Sequence, residues 1–472
     1  MKQSLKKPAM TLLGAALLAA CTIGPDYHKP DMPVPAAFKE LDNWKPAHPA
    51  DLVHGDWWLV YNDPVLSALE KQVSVSNQSL KASEASYRQA QAAVEQAHAS
   101  FFPTVSLNGS GQRSGKNNIT TNAVNVSADA SWAPDIWGRI RRTVESQEAT
   151  AQASAADLAA ATLSTQGTLA IDYFELRAAD QLQRLLDDTV AADGRSLHIV
   201  SNQYKVGVVS KADVLQAQTQ LDSVRGQAIN VGVQRSQLEH AIAVLTGRAP
   251  ADFSLKPAGN IPDAPVTPTG VPSTLLERRP DIASAERHVT AANAQIGIAI
   301  TAYYPDLTLA GSDGYAAPLL GRLLQAPNEV WSIGPSLALT LFDGGAISAQ
   351  VKAARATYDQ QTALYKQTVL TSFQQVEDDL STLRILAQQE TVENQTVLDA
   401  EQATKLVTNQ YNAGTVAYTT VITAQTAELS AQQSALSVRE NGLIASIQLI
   451  EALGGGWNSS ALTPPAPSPA KK

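Results

Sequence analysis

The side chains that could act as nucleophiles, bases or metal ligands are thinly spread along this sequence of 472 residues. The single cysteine is Cys21, and the seven histidines are His28, His48, His54, His98, His198, His240 and His288. No two histidines have the His-x-x-x-His spacing that places two imidazoles on one helix face. There is no Gly-x-Ser-x-Gly motif, and the glycine-rich stretch near Gly109 lacks phosphate-loop spacing. We therefore expect no enzyme activity, no cofactor and no metal site.

Cys21 has a different chemistry, that of lipid attachment. Three lysines within the first seven residues precede an uncharged apolar stretch at 9–20, which is the layout of a secretory signal peptide. This stretch ends in Leu-Ala-Ala-Cys, where bacterial lipoproteins are cleaved and acylated with fatty acids such as palmitate, and several acyl chains anchor a protein stably. An ordinary signal peptide that contains a cysteine is the alternative. Because Thr22 rather than Asp follows the cysteine, the outer membrane is the expected destination.

Composition limits how the chain could meet a membrane. The apolar stretch at 9–20 is too short to span a bilayer as a helix, and the mean hydropathy of −0.12 excludes a polytopic helical membrane protein. Strands must therefore cross any membrane that the chain spans. Only 6% of residues are aromatic, which argues against large apolar cores. Removal of residues 1–20 changes the net charge from 35 − 44 = −9 to 32 − 44 = −12, so a nucleic-acid partner is not expected.

Two similar phrases indicate an internal duplication. The first, YKVGVVSKADVLQAQTQL, begins at Tyr204, and the second, YNAGTVAYTTVITAQTAEL, begins at Tyr411, so the offset is 411 − 204 = 207 residues. Their glycines, Gly207 and Gly414, align. Earlier in each half, SFFPTVSL corresponds to AYYPDLTL in the same order. A repeated order of motifs is the signature of duplicated structural units.

The duplication and the proline-rich stretches divide the chain into six segments. We predict a lipoprotein signal peptide at 1–20, a proline-rich N-terminal segment at 21–63, a first repeat at 64–248, a proline-rich connector at 249–280, a second repeat at 281–457 and a flexible C-terminal tail at 458–472.

Each repeat is predicted to begin with a helix that ends at a proline. These helices cover 65–99, with a break near Asn77, and 282–301. An aromatic pair and then Pro103 or Pro305 follow. Proline disfavours the helical conformation in the residue before it, so the chain is expected to change from helix to strand at both prolines.

Alternating apolar and polar residues then predict two strands in each repeat. In the first repeat the apolar positions, on either side of the loop SGKNNITT, are Val105, Leu107, Val124, Val126, Ala128, Ala130 and Trp132. In the second repeat, on either side of the loop AAPLLGRLLQAPNE, they are Leu307, Leu309, Trp331, Ile333, Leu337, Leu339 and Leu341. Gly138 and Gly344 follow as junctions between strand and helix.

Long helices come next, at 141–205 and, after the glycine-containing tip, at 212–245. Some 65 helical residues reach roughly 100 Å, far more than a compact core needs. Small residues recur at alternating spacings of four and three, the repeat that lets helices pair as coiled coils. They are Ala151, Ala155, Leu158, Thr162, Thr165 and Leu169.

Four strands of this length and pattern are typical of transmembrane strands. Four strands cannot close a barrel, and an open edge in lipid leaves backbone groups unpaired. Closure would therefore be shared between chains, with eight strands from two chains or twelve from three. The alternative is that two soluble hairpins pack on a helical bundle.

The order of several phrases resembles the TolC-type outer membrane efflux proteins, in particular their lipoprotein, NodT-like branch. These phrases are CTIGPDYHKP, WAPDIWGRIRR, RRPDIASAERHVTAANAQIGIAITAYYPDLTL, GPSLALTLFDGG and the two tip phrases. The resemblance implies an α+β membrane fold and a homotrimer, with a shared 12-strand β-barrel, four strands per chain, continued by a long periplasmic α-helical barrel. It also implies a periplasmic adaptor (membrane fusion) protein, an inner membrane RND-type pump and export of small molecules such as drugs or toxic compounds.

The resemblance also assigns a role to the two tips. They are expected to open and close the periplasmic end and to contact the adaptor through Gly207, Val208, Gly414 and Thr415. For an isolated glycine, a simple turn would be the alternative.

Three further residues near the tips are gate candidates by resemblance. Asp213 would narrow the entrance, although Ser210 to Asp213 also has the form of a helix capping box. Thr420 and Thr423 stand where some relatives carry a pair of aspartates, so a strongly acidic constriction is not expected here.

Two other functions remain compatible with these features. One is a duct for type I protein secretion, which belongs to the same family resemblance. The other is a non-conducting coiled-coil lipoprotein that braces the envelope, which would leave the four alternating strands unexplained.

Overall fold

The structure is a computed structural model that describes residues 22–40, 55–117, 119–259, 261–265 and 277–462. The predicted signal peptide, Cys21 and the tail beyond Leu462 lie outside the described residues. No helix among those described has the length and apolar character needed to cross a membrane.

The first repeat contains the helices α1 (Pro64–Ser76), α2 (Gln78–Ala99), α3 (Arg139–Lys205) and α4 (Lys211–Leu245). The break predicted near Asn77 is confirmed. Asn77 has extended backbone and ends α1, its side chain accepts from the amide of Leu80 at 3.0 Å, and its amide group donates to the carbonyl of Leu245 at 2.8 Å. One side chain therefore caps α2 and ties it to the end of α4.

The second repeat contains α5 (Pro280–Thr301), α6 (Ala346–Asn412) and α7 (Tyr418–Ala452). Helices α3 and α6 each have 67 residues, and α4 and α7 each have 35. Their starts differ by 346 − 139 = 207 and 418 − 211 = 207. The duplication is therefore preserved residue by residue in the long helices. Of the predicted coiled-coil positions, Ala151 and Leu169 are buried and the other four are half-buried.

The strands β1 (Thr104–Lys116), β2 (Ile119–Trp132), β3 (Asp306–Ala317) and β4 (Glu329–Ala338) form one antiparallel sheet in the order β1-β2-β3-β4. The loops were predicted too long. Strand β1 runs to Lys116 and β2 begins at Ile119, so most of SGKNNITT is paired strand. The sequence does not show this, because small polar residues on both faces hide the alternation of apolar and polar positions. Leu339 and Leu341 lie beyond the end of β4 and were wrongly placed in the strand.

The register separates the side chains of the sheet into two faces. Residues directly opposite each other in antiparallel strands share a face. One face, the apolar face, therefore contains the pairs Val105 with Ala130, Leu107 with Ala128, Val126 with Tyr315, Leu307 with Leu337 and Gly311 with Ile333. The opposite, polar face contains Ser106, Asn108, Asp129, Ser127, Ser312 and Ser332. Apolar-face residues are exposed to a degree unusual for their type, 77% for Leu107 and 82% for Ile333.

The chain forms two compact units. Unit 1 comprises Met1–Met32, Ala85–Ala156 and Ile282–Thr368, and unit 2 comprises Pro33–Glu84, Asp157–Asp281 and Val369–Lys472. The sheet belongs to unit 1. Despite the low aromatic content, unit 2 has an aromatic core in its described residues, because the few rings are gathered in one place: Trp57, Trp58, Tyr61, Tyr173 and Phe174.

Repeat-related arginines hold non-helical segments in unit 2. Arg177 donates to the carbonyl of Lys256 in the connector at 2.9 Å. Its equivalent, Arg384 (384 − 177 = 207), donates to the carboxylate of Glu40 in the N-terminal segment at 2.6 Å. Each repeat therefore uses the same helix position to fix a stretch that lies outside the regular helices and strands.

Candidate functional site

The first candidate site is the tip between α3 and α4. Gly207 has φ of +77°, a left-handed conformation that glycine adopts without steric cost. Its amide donates to the carbonyl of Tyr204 at 3.0 Å, and the amide of Val208 donates to the carbonyl of Gln203 at 2.9 Å. These two bonds form a Schellman motif, which satisfies carbonyls at the end of α3.

The tip between α6 and α7 is built in the same way. Gly414 has φ of +74°. Its amide donates to the carbonyl of Tyr411 at 2.9 Å, and the amide of Thr415 donates to the carbonyl of Gln410 at 3.0 Å. Apart from the adjacent residues of the chain, no described residue has an atom within 4 Å of a Cβ built on either glycine. Backbone conformation rather than packing therefore selects glycine at both tips.

The two tips lie against each other within unit 2. The hydroxyl of Tyr411 donates to Oε1 of Gln203 at 2.6 Å. The rings of Tyr411 and Tyr418 are 5.3 Å apart. Tyr418 also belongs to a buried cluster with Val200, Ala217 and Val421. These contacts come from both repeats, so the position of one tip depends on that of the other.

The four residues predicted to meet an adaptor are exposed at the tips: Gly207, Val208, Gly414 and Thr415. Val208 is 70% exposed, and its neighbour Val206, which the sequence reasoning did not single out, is 75% exposed. The adaptor role of these residues remains a prediction.

The carboxylate of Asp213 forms hydrogen bonds at the start of its own helix, α4. Its carboxylate accepts from the amide and hydroxyl of Ser210 at 2.9 and 2.7 Å, and its amide donates back to the hydroxyl. The predicted capping box is confirmed. Burial raises the pKa of Tyr411 on the second tip, and the negative charge of Asp213 adds to this effect.

The two threonine gate candidates lie on the second tip. Thr420 is the repeat equivalent of Asp213 (213 + 207 = 420), and both Thr420 and Thr423 are exposed. The hydroxyl of Thr423 donates to the carbonyl of Thr419 at 3.0 Å. Ala417 stands at the N-cap of α7, so the second tip has no counterpart of the Ser210 cap.

The four predicted junction residues lie between helices and strands of unit 1. Pro103 and Pro305 directly precede β1 and β3, and Gly138 and Gly344 have φ of +81° and +65° before α3 and α6. One hydrogen bond joins the junctions of the two repeats. The indole of Trp137 donates to the carbonyl of Pro305 at 2.9 Å.

The segment after Cys21 is held beside one of these junctions, and the sequence reasoning missed the residue that holds it. The guanidinium of Arg142, whose side chain is 4% exposed, donates to the carbonyl of Gly24 at 3.3 Å and to the carboxylate of Asp26 at 2.9 Å. Thr22 fills the space that a Cβ on Gly138 would need. The phrase CTIGPDYHKP contains the residues that Arg142 contacts, but its sequence gives no sign of a partner on a helix more than 100 residues further along the chain.

A second group of residues was also missed. The carboxyl groups of Glu70, Asp379 and Glu451 come from α1, α6 and α7. The charge of Glu451 helps to raise the pKa of Glu70, and the charge of Asp379 helps to raise the pKa of Glu451. No spacing in the sequence could reveal them, because they lie in three distant helices. In the described ranges, no three His, Cys, Asp or Glu side chains are arranged to hold a metal ion.

Comparison with known proteins agrees with this geometry. The family model for outer membrane efflux proteins matches residues 69–248 and 271–455. The antibiotic efflux pump outer membrane protein ArpC of Pseudomonas putida is 28% identical, over 97% of this chain and 96% of its own. The toluene efflux pump outer membrane protein TtgC, also of Pseudomonas putida, is 28% identical over the same shares.

Among solved structures, the outer-membrane channel OprN superposes with a TM-score of 0.86 at 26% identity, covering 93% of this chain and 100% of that one. The similarity therefore extends over nearly the whole length of both chains. The chain belongs to the outer membrane efflux protein family, has its TolC-like α+β fold and is the outer membrane channel component of an efflux system.

Proposed function

We propose that three copies of this chain close one channel, which exports small organic molecules together with a periplasmic adaptor and an inner membrane RND-type pump. The observation that supports the trimer is the four-stranded sheet, in which β1 and β4 each have only one neighbour among the described strands. Unpaired strand edges in lipid cost several kcal/mol per backbone group. Copies of the same sheet can pair these edges, and three copies supply twelve strands, within the range of known barrels.

The two faces of the sheet support the same arrangement. The apolar face suits contact with lipid, and the polar face suits a water-filled interior. On the polar face, the carboxylate of Asp129 accepts from the amide group of Asn108 at 2.7 Å and from the hydroxyl of Ser127 at 2.8 Å. These polar groups form hydrogen bonds with one another and can also form them with water, so this face can be exposed to solvent.

We propose that Cys21 carries the lipid anchor of the mature chain in the outer membrane. The contacts of Arg142 with Gly24 and Asp26 support this, because they hold the residues that follow Cys21 beside the sheet end of α3 in unit 1. An acyl group on Cys21 would then lie near the strands that enter the same membrane.

The tips are proposed as the docking and gating surface. Gly207, Val208, Gly414 and Thr415 would contact the adaptor, and Asp213, Thr420 and Thr423 would lie near the gate. Docking would favour the open state if the partners bind it better than the closed state. The pump supplies the energy, so this chain needs no catalytic group.

The cargo is proposed from the relatives. ArpC and TtgC are named for export of antibiotics and of toluene, and we extend this class of small organic compounds to the present chain. The test is export from cells that lack this gene. Reintroducing it should restore resistance to toxic organic compounds only when adaptor and pump are present. Restored secretion of a polypeptide, with unchanged resistance, would contradict the proposal.

A further inference from the structure

A cavity of about 460 Å³ lies within unit 2, between the connector end and the long helices. Its acidic lining residues are Asp281, Asp378, Asp379 and Glu451, and the basic residue in its described lining is Arg279. Helix α3 contributes only uncharged residues to the described lining. The cavity therefore has more acidic than basic side chains, in a region where helices of both repeats meet.

Glu70 extends this acidic group into the apolar core. It has no exposed surface, it lies on the same helix face as Leu66 and Val73 of the core, and neither carboxylate oxygen has a hydrogen-bond partner among the described residues. Burial, with a smaller contribution from the charge of Glu451, raises the pKa of Glu70 to about 9. A charged carboxylate without partners is costly in such a place, so Glu70 holds its proton at neutral pH.

Glu451 lines the cavity, and its charge acts on Glu70. Its carboxylate packs directly on Gly167 of α3, where a Cβ would have no room. Burial and then the charge of Asp379 raise the pKa of Glu451 to about 7. Burial, with a smaller contribution from the charge of Asp378, raises the pKa of Asp379 to about 7. All three carboxyl groups therefore lose their protons between neutral and moderately alkaline pH.

The neighbouring charged groups do not neutralise this cluster. The guanidinium of Arg279 donates to both oxygens of Asp281 at 3.0 and 2.7 Å and to the carbonyl of Ala452 at 3.0 Å. The positive charge of Arg279 lowers the pKa of both Glu451 and Asp379, but this is the smallest of the effects on either carboxyl group. Its hydrogen bonds are made to other groups.

Tyr61 and Lys71 are titratable side chains close to Glu70 in the chain. The hydroxyl of Tyr61 shares a hydrogen bond of 2.7 Å with Ser446, and burial raises its pKa, with the charge of Glu451 adding to the effect. Lys71, beside Glu70 on α1, is exposed. Neither supplies a positive charge inside the bundle.

We propose that Glu70, Asp379 and Glu451, the carboxyl cluster, form a proton-operated switch in unit 2: with protons bound, α1, α6 and α7 pack tightly on α3, and loss of the protons loosens this packing. The switch goes beyond the channel function proposed above, and its first test requires no transport. Because the pKa of Glu70 in the folded chain lies above its ordinary value of 4.5, the folded chain binds more protons than the unfolded chain between about pH 4.5 and 9. The contribution of Glu70 to stability is therefore largest in acid and falls as pH rises through this range.

Hydrogen–deuterium exchange of the purified full-length protein tests the switch. After correction for the intrinsic pH dependence of exchange, the backbone N–H groups of α1 (Pro64–Ser76) should lose at least about tenfold protection between pH 5.5 and 8.5. A single unit of pKa shift already corresponds to a factor of ten. Glu70→Gln keeps the shape without the charge and should retain its protection at pH 8.5. Glu84→Gln, an exposed carboxyl in the same unit, removes the same charge and should follow the unmodified protein.

A second variant covers the case in which Glu70→Gln does not fold. Glu451→Gln should reduce the pH-dependent loss of protection in the same helix. A flat profile in the unmodified protein, or an unchanged loss in both glutamine variants, would overturn the switch. Conductance separates the two proposals: a protein that conducts with a flat exchange profile contradicts only the switch, and one that shows the profile without conducting contradicts only the channel function.

Discussion

Gly207 and Gly414 lie 414 − 207 = 207 residues apart and share a left-handed conformation, with φ of +77° and +74°. Each ends a helix of 67 residues and precedes one of 35. The tyrosine three residues before Gly414 also bonds to Gln203 beside the first tip. The two repeats therefore converge on one structural unit, formed by two similar turns that contact each other.

Gly414→Pro is expected to abolish most export while leaving trimers intact, because proline fixes φ near −65° and cannot form this turn. Ala417→Pro is the matched control, since Ala417 has φ of −75°, which suits proline. Export of a fluorescent substrate and cross-linking of the chains would be measured together. Unaltered export in Gly414→Pro would contradict the role of the tip.

Asp213→Ala is expected to destabilise the first tip by about 1 kcal/mol, the usual effect of losing a helix cap. Thr420→Ala, at the equivalent position of the second repeat, removes no such cap and should have little effect. Thermal unfolding of the two variants gives the comparison. Equal effects would show that the capping box contributes nothing at this position.

Arg142→Met is expected to release the segment that follows Cys21, at a cost of about 1–3 kcal/mol for lost charge-assisted hydrogen bonds. Arg139→Met changes an exposed arginine at the start of the same helix and is the control. Limited proteolysis should cut the N-terminal segment faster in Arg142→Met alone. Identical cleavage in both variants would show that these contacts do not hold the segment.

Cys21→Ser is expected to remove acylation without preventing trimer formation. Mass spectrometry of the native protein should show the mass of the acyl groups on the N-terminal peptide, and the variant should lack it. A native protein without lipid would contradict the anchor, although the channel itself would remain.

The long helices and their junctions could be predicted because duplication shows each pattern twice. Gly207, Pro103 and Asp213 have local causes, namely positive φ, the restriction before proline and a cap three residues away, and such causes are visible in sequence. The first hairpin loop was predicted too long because Arg113, Gly115 and Thr120 stand on the apolar face near the turn, where the alternation of apolar and polar residues is lost.

The remaining features depend on residues brought together by folding. Arg142 contacts a segment 116 residues earlier in the chain. Neither stretch has a sequence pattern from which this contact could be predicted. Glu70 and Glu451 are single acidic residues on ordinary helical sequence, and Asp379 ends a short acidic run that has no recognisable spacing to either of them. Only the packing of α1, α6 and α7 gives these carboxyl groups a common environment.

The most direct test of the central claim is single-channel recording of the purified protein in planar bilayers, combined with native mass spectrometry of the same sample. We expect discrete conductance steps from a species with the mass of three mature chains. A monomer with no affinity for bilayers, or a trimer that never conducts under any condition that opens its relatives, would contradict the account.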